Sequence, residues 1–312
     1  MIEPAGDRRG AATARPAISV VIATSNRAKS LSECLGKLMA ARLPPDVACE
    51  VICVNNNSND GTREIVQEIA RTARLPVHYL FEPRQGAAQA RNAGLAQARG
   101  SIIAITDDDC LVDTEWLAAI WQEFAADPAL MLLGGRVELY DKADLPMTIR
   151  TSRERVSFGA EPVMFQLTGC NIAFRRSLID KVGSFDVRFG PGTRLMAGED
   201  TDFIYRASRA GVKIVYSPDV LVLHNHGRRT ELDRRKLLRA YLIADGAVYM
   251  KHILMKDRFA LARAYWDAAR RLQGVFANIA RPRASRDELM RLAYLGRGAF
   301  RYSSVLLGFV TP

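Results

Sequence analysis

The apolar positions of this chain fall into short uncharged runs separated by stretches with helical spacing. Residues 18–23 carry no charge and predict a buried strand, and the polar turn Thr24-Ser25-Asn26-Arg27 follows it. Leu31, Cys34, Leu35, Leu38 and Met39 then recur on one helix face, up to the stop at Pro44 and Pro45. A second uncharged run, 51–54, leads into a polar loop from Asn55 to Thr62, and Ile65, Val66 and Ile69 mark another helix. Residues 77–81 predict a third strand, 87–99 an alanine-rich helix entered through Gly86, and 101–106 a fourth strand. Strand alternating with helix at this spacing predicts an α/β fold with a doubly wound, mostly parallel sheet. Ligands of such sheets sit beyond the C-terminal strand ends. The polar loops 24–27, 55–60 and 107–109 all fall there.

The pattern beyond residue 110 is less regular. Trp116, Leu117, Ile120, Trp121 and Phe124 form a helical stripe that reads as core packing. Residues 130–137 predict a strand, 140–160 a polar mobile loop near the substrate, and 164–168 a strand running into Gly169-Cys170-Asn171. Gly198-Glu199-Asp200-Thr201-Asp202 opens a helix with Phe203, Ile204 and Ala207 on one face. Two short strands, 213–216 and 220–223, close the region before His224 and His226.

The chemistry concentrates at Asp107, Asp108 and Asp109. Side chains of an extended chain alternate faces, so Asp107 and Asp109 are expected on one side and Asp108 on the other. Three carboxylates this close repel unless a cation or many donors offset them. Oxygen ligands select a hard divalent ion, Mg²⁺ or Mn²⁺. A solvated acidic turn capping the next helix, which Asp113 and Thr114 precede, would produce the same triplet.

At 312 residues with 48% hydrophobic and 25% charged content, the chain has the composition of a globular protein with a sizeable core. The first 16 residues have no apolar centre, and no uncharged run reaches the length of a membrane span. Five cysteines without a CxxC spacing predict reduced thiols in the cytoplasm, with neither a disulfide frame nor a zinc site. The net charge of +10 is unevenly placed: residues 225–312 carry 18 Lys/Arg against 7 Asp/Glu. There Leu232, Leu237, Leu238, Tyr241 and Leu242 lie among Arg234, Arg235, Lys236 and Arg239, and Leu261, Ala264, Tyr265, Ala268 and Leu272 alternate with Arg263, Arg270 and Arg271. Such amphipathic basic helices suit either an anionic membrane surface or a cap packed on the preceding domain. The aromatic-basic interleaving of an RNA module is missing, so no nucleic-acid partner is expected.

Taken in order, these blocks resemble glycosyltransferase family 2, the inverting GT-A enzymes that use nucleotide sugars. The matching segments are 18–27, 54–62, Gly86 to Gly94, the Asp triplet at the family's DxD, 169–176, Gly183-Ser184-Phe185-Asp186 and 198–202. One such block is weak evidence, whereas seven in order are strong. The resemblance implies a flexible tail over 1–16, a GT-A catalytic domain over 17–226 and a basic helical region over 227–312. Within the catalytic domain, 17–110 would be the nucleotide-binding half and 111–226 the acceptor half. It implies a Mg²⁺ or Mn²⁺ ion held by Asp107, Asp109 and His224, with His226 as the competing histidine. The donor would lie against Thr24, Ser25, Asn26, Arg27, Asn55, Asn56, Arg91, Asp107, Asp108 and Gly169. Asp200, paired with Glu199, would be the base that deprotonates the acceptor hydroxyl.

The implied donor is a nucleoside diphosphate sugar, with uridine first. The implied acceptor is a glycan or lipid-linked hydroxyl in cell-surface polysaccharide or glycolipid synthesis, at the inner face of the cytoplasmic membrane. Two departures bear on the base: Asn55 and Asn56 stand where the family carries Asp, and Ser25 and Asn26 where it carries a Tyr. A nucleotidyltransferase is the competing enzyme class, but the turn after the first strand lacks its glycines. A catalytically silent nucleotide-sugar binding module is the third reading.

Overall fold

The computed structural model describes residues 16–159 and 161–308. The expected N-terminal tail, apart from Pro16, lies outside the described residues. Four parallel strands form the first half of a nine-stranded sheet: β1 (Ile18–Thr24), β2 (Cys49–Asn55), β3 (Val77–Phe81) and β4 (Ile102–Asp107). β1 lies between β2 and β4, and its near-continuous apolar sequence is that of a strand covered on both faces. The helices α1 (Ala28–Ala40), α2 (Thr62–Thr72) and α3 (Ala87–Gln97) supply the cover. α3 lies close because its residues are small. A Cβ on Gly94 would stand 2.4 Å from Val21 Cγ1.

The second half turns the sheet mixed. It adds β5 (Cys110–Val112), α4 (Trp116–Ala126), β6 (Leu130–Leu139), β7 (Val156–Phe158), β8 (Asn171–Arg175), α5 (Leu178–Val182), α6 (Glu199–Arg209) and β9 (Lys213–His224). The strand order is β3-β2-β1-β4-β8-β6-β9-β5, with β7 also on β9. β8 runs antiparallel to β4 and β6, while β6 and β9 are parallel.

Three local expectations are corrected. Residues 164–168 are not a strand: Val163, Met164 and Leu167 are buried by packing, Leu167 over Gly134, where a Cβ would stand 2.4 Å away. Residues 213–216 and 220–223 are one strand, β9, whose register against β6 slips between Gly135 and Arg136. That irregularity accommodates Pro218, which has no N–H for a ladder. The polar stretch 140–160 contains β7 and a bridge between Val137 and Arg150.

Three long helices end the described chain: α7 (Glu231–Leu254), α8 (Arg258–Ala277) and α9 (Pro282–Leu306). α7 and α9 meet backbone to backbone, since a Cβ on Gly246 would stand 2.0 Å from Leu295 O and one on Gly298 1.9 Å from Ile243 O. A third core cluster joins Phe189 and Tyr205 to Ala247, Val248, Ala260 and Tyr302 of these helices. Buried ion pairs reinforce the joint: Asp202 of α6 meets Lys251 at 2.7 Å and His252 at 3.0 Å of α7, besides Arg206 at 2.8 Å.

Burial alone would raise the Asp202 carboxyl, but the His252 hydrogen bond and the charges of Arg206 and Lys251 outweigh it and hold it well below the carboxylate range. A depressed folded value means this stabilisation is complete above the unfolded value of about pH 3.9 and is lost as pH falls below it. Asp202→Asn is expected to cost about 3 kcal/mol at pH 7. The difference in melting temperature between the two proteins should narrow below about pH 4, measured by circular dichroism across a pH series. A difference unchanged at pH 3 would refute this role of the charge.

Candidate active site

The loops after β1, β2 and β4, the start of α6, the end of β9 and one face of α7 enclose a cavity of about 640 Å³. Asp107, Asp108, Asp109, Arg91, Ser25, Arg27, Asn56, Gly169, Glu199, Asp200 and His224 all line it. The acidic triplet and Asp200, 91 residues further along the chain, thus face one space.

The triplet does not alternate as an extended chain would. β4 ends at Asp107, and Asp108 and Asp109 turn into β5, so both reach Arg27 Nη1, at 3.1 and 2.6 Å. Thr24 Oγ1 donates to Asp108 Oδ2 at 2.7 Å. Burial, with the two neighbouring carboxylates adding to it, pushes Asp108 up to about 6 against the pull of Arg27 and Thr24. Asp109 goes the other way. Burial opposes its charge, but the hydrogen bond from His224 and the charges of His224 and Arg27 hold it far below the usual range. His224 Nε2 stands 3.3 Å from Asp109 Oδ1, and its Nδ1 is 3.2 Å from Thr148 Oγ1. Burial works against the imidazolium, but the bond to Asp109 outweighs it and raises His224 to about 9.

His226 is directed elsewhere. It meets Asp144 at 3.5 Å, and its Nδ1 accepts the N–H of Arg228. Of the two histidines, His224 is the one beside the triplet. The donor chemistry there, carboxylate oxygens and one imidazole at the cavity wall, fits a hard divalent ion. Both Asp109 oxygens already accept from cationic partners, Arg27 and His224, so positive charge is what this position collects.

Arg91 links the two acidic groups. Its Nη2 donates to Asp107 Oδ1 at 2.8 Å and its Nη1 to Glu199 Oε1 at 2.6 Å, with the side chain buried. Both Nη atoms thus serve carboxylates, so this arginine, placed among the donor-contacting residues by the resemblance, forms salt bridges within the site. Burial, with Asp200 and Asp107 close by, pushes Glu199 up to about 7 in spite of Arg91. Gly198 takes a left-handed backbone (φ 92°) at the start of α6 and turns Glu199 and Asp200 into the site. Asp200 is held by backbone: Oδ2 accepts the N–H of Gly169 at 2.8 Å, and Oδ1 that of Thr201 at 2.7 Å. Position 169 has to be glycine, because a Cβ there would stand 2.4 Å from Asp200 Oδ2.

Three residues expected against the donor brace the loops instead and do not line the cavity. Thr24 holds Asp108; Asn26, with φ 54°, bonds Ser58 and Asn59; Asn55 bonds Ser58 and the Tyr79 hydroxyl. Asn56 reaches the cavity, but its amide is consumed by Glu82 O, Arg84 O and the N–H of Gly86. An Asn there supplies donors to two carbonyls that Asp could not. The sequence reading also missed part of the wall. Leu237, Tyr241 and Asp245 project from α7 into the cavity at a spacing of four. Burial and nearby Asp267 push Asp245 up to about 7. The helical spacing was visible, but not what it faced.

The model of glycosyl transferase family 2 matches residues 19–183, and that of glycosyl transferase family group 2 matches 102–302. This chain belongs to glycosyl transferase family 2. It is a glycosyltransferase, and its sheet with a helical C-terminal region is the GT-A architecture. Glycosyltransferase AglE of Haloferax volcanii is 29% identical over 259 residues, covering 80% of this chain and 78% of that protein. Succinoglycan biosynthesis protein ExoM of Rhizobium meliloti is 28% identical over 201 residues, 63% of each chain. Among solved structures, the mannosyltransferase PcManGT from Pyrobaculum calidifontis, in complex with GDP-Man and Mn²⁺, superposes with a TM-score of 0.66. At 22% identity it covers 93% of this chain and 88% of its own.

Proposed function

We propose that this glycosyltransferase moves a sugar from a nucleoside diphosphate sugar to an acceptor hydroxyl, with inversion at the anomeric carbon. The observation that carries the reading is a single cavity lined by Asp109 and His224 together with Asp200. Asp107, Asp109 and His224 would hold Mg²⁺ or Mn²⁺. When bound, such an ion supplies the positive charge that a departing diphosphate needs. Asp200, held by two backbone N–H groups, takes the proton of the acceptor hydroxyl as that oxygen bonds to the anomeric carbon. The bond from that carbon to the diphosphate oxygen breaks, and its electron pair leaves with the nucleoside diphosphate. One displacement inverts the sugar, so no second carboxylate has to form a covalent intermediate. Arg91 holds Asp107 and Glu199 at a fixed separation across the site. Uridine remains the first base to try. The acceptor we infer is a glycan or lipid-linked sugar of a cell-surface polymer, a reading supported by the succinoglycan role in the name of ExoM.

The test needs no acceptor. With UDP- and GDP-sugars, slow release of nucleoside diphosphate is expected with Mn²⁺ and none with a chelator, followed by nuclear magnetic resonance. Pyrophosphate release from a nucleoside triphosphate and a sugar phosphate, or binding of every donor without turnover, would refute the reading.

The basic helices carry a second part of the proposal, peripheral docking on the inner face of the cytoplasmic membrane. Among the described residues no helix is long and apolar enough to cross a membrane. α8 and the turn after it expose Leu261, Tyr265, Trp266, Phe276 and Ile279 beside Arg258, Arg270 and Arg281. Buried large side chains gain about 1.5–3 kcal/mol each, and each nearby basic residue about 1 kcal/mol on anionic lipid. The protein is expected to sediment with phosphatidylglycerol vesicles at low salt. Replacing Trp266 and Phe276 with Ser should weaken this at least about tenfold. Indifference to such vesicles at low salt would end this part.

A further inference from the structure

Beside the hard-ion position the fold assembles a soft donor set. Cys110 opens β5 directly opposite His224 in the ladder with β9, and Cys170 immediately precedes β8. All three are buried, and their ligand atoms lie within 4.8 Å of one another. Asp109 Oδ1 is 3.9 Å from Cys110 Sγ and 3.3 Å from His224 Nε2. Tetrahedral bonds of about 2.0–2.3 Å put ligand atoms about 3.3–3.8 Å apart, so bringing Cys110, Cys170 and His224 onto one ion takes movements of about 1 Å or less. Cys170, His224 and Asp109 line the cavity and open a route for an ion from solvent. Thiolates with imidazole select Zn²⁺ over Mg²⁺ or Mn²⁺.

We propose that Cys110, Cys170 and His224, with Asp109 as fourth ligand, bind a soft divalent ion of the Zn²⁺ class. Because that ion takes His224 and Asp109, it and the hard cation of the transfer reaction exclude each other. This second half rests on the proposed function; the binding itself does not. Each thiol loses its proton to the buffer as its bond to the metal forms.

Cd²⁺ is the probe, because its thiolate complexes absorb by charge transfer in the ultraviolet. Titrating the reduced, metal-free protein should raise a band that saturates at one equivalent. Cys49→Ser, in a remote buried thiol, should keep the band, and the pair Cys110→Ser with Cys170→Ser should lose it. Should the double variant not fold, alkylation of the unaltered protein decides: Zn²⁺ should slow labelling of Cys110 and Cys170, read by mass spectrometry, but not of Cys49. No band, a band that survives in the double variant, or labelling unchanged by Zn²⁺ would overturn the site. With Mn²⁺ present, Zn²⁺ should abolish most nucleoside diphosphate release. Binding of Cd²⁺ with Zn²⁺-insensitive turnover would overturn the exclusion alone.

Discussion

Asp200→Asn is expected to lower the transfer rate about 10²–10⁴-fold, the usual contribution of a positioned general base, while nucleotide-sugar affinity stays nearly unchanged. The substitution keeps the shape, and the amide oxygen can still accept one of the N–H groups of Gly169 and Thr201. On the proposed function, what it removes is the capacity to take a proton from the acceptor. The loss should therefore appear in kcat, with donor binding by calorimetry as the check. A variant within a few-fold of the natural rate would move the base elsewhere, with Glu199 and Asp245 the next groups on the same cavity. Gly169→Ala provides a second route to the same conclusion, since its methyl group would displace the carboxylate without altering its chemistry.

Arg91→Met should be the most destabilising single change at the site, by about 3–5 kcal/mol. The natural guanidinium stands between Asp107 and Glu199, and removing it leaves two carboxylates facing each other with no cation. Glu199 is buried, so its charge has little water to fall back on. Urea denaturation measures the cost. Arg91→Lys should recover only part of it, because one ammonium cannot serve two carboxylates in the fork geometry of Arg. A Met variant as stable as the natural protein would mean that Glu199 is neutral and the bridge contributes little.

Much of the first half of the fold was legible along the chain because β1, β2 and β4 are buried on both faces, while the edge strand β3 is partly exposed but still apolar enough to read as a run. Such strands appear as uncharged runs, and the helices between them as stripes, so β1 to β4 and α1 to α3 follow from local pattern. The second half was less legible for a definite reason. Residues 164–168 are apolar because they pack over Gly134, and burial by packing looks the same in sequence as burial in a ladder. β5 is three residues long and exists only because β9 pairs with it.

The same division holds at the site. The acidic groups at 107–109 stood out by their place after an apolar run, while those at 199–200 were singled out only through the family the ordered blocks resemble. Which atoms meet was not visible. Arg91 bridging Asp107 to Glu199, His224 rather than His226 at Asp109, and Asp245 on the cavity wall depend on segments brought together from distant parts of the chain, Arg91 and Glu199 being 108 residues apart. Sequence pattern records what each residue needs around it, solvent or burial, because that need is local. It does not record which of several distant partners satisfies the need. That choice is made when strands pair and helices close over them, and it turned a row of carboxylates into a site.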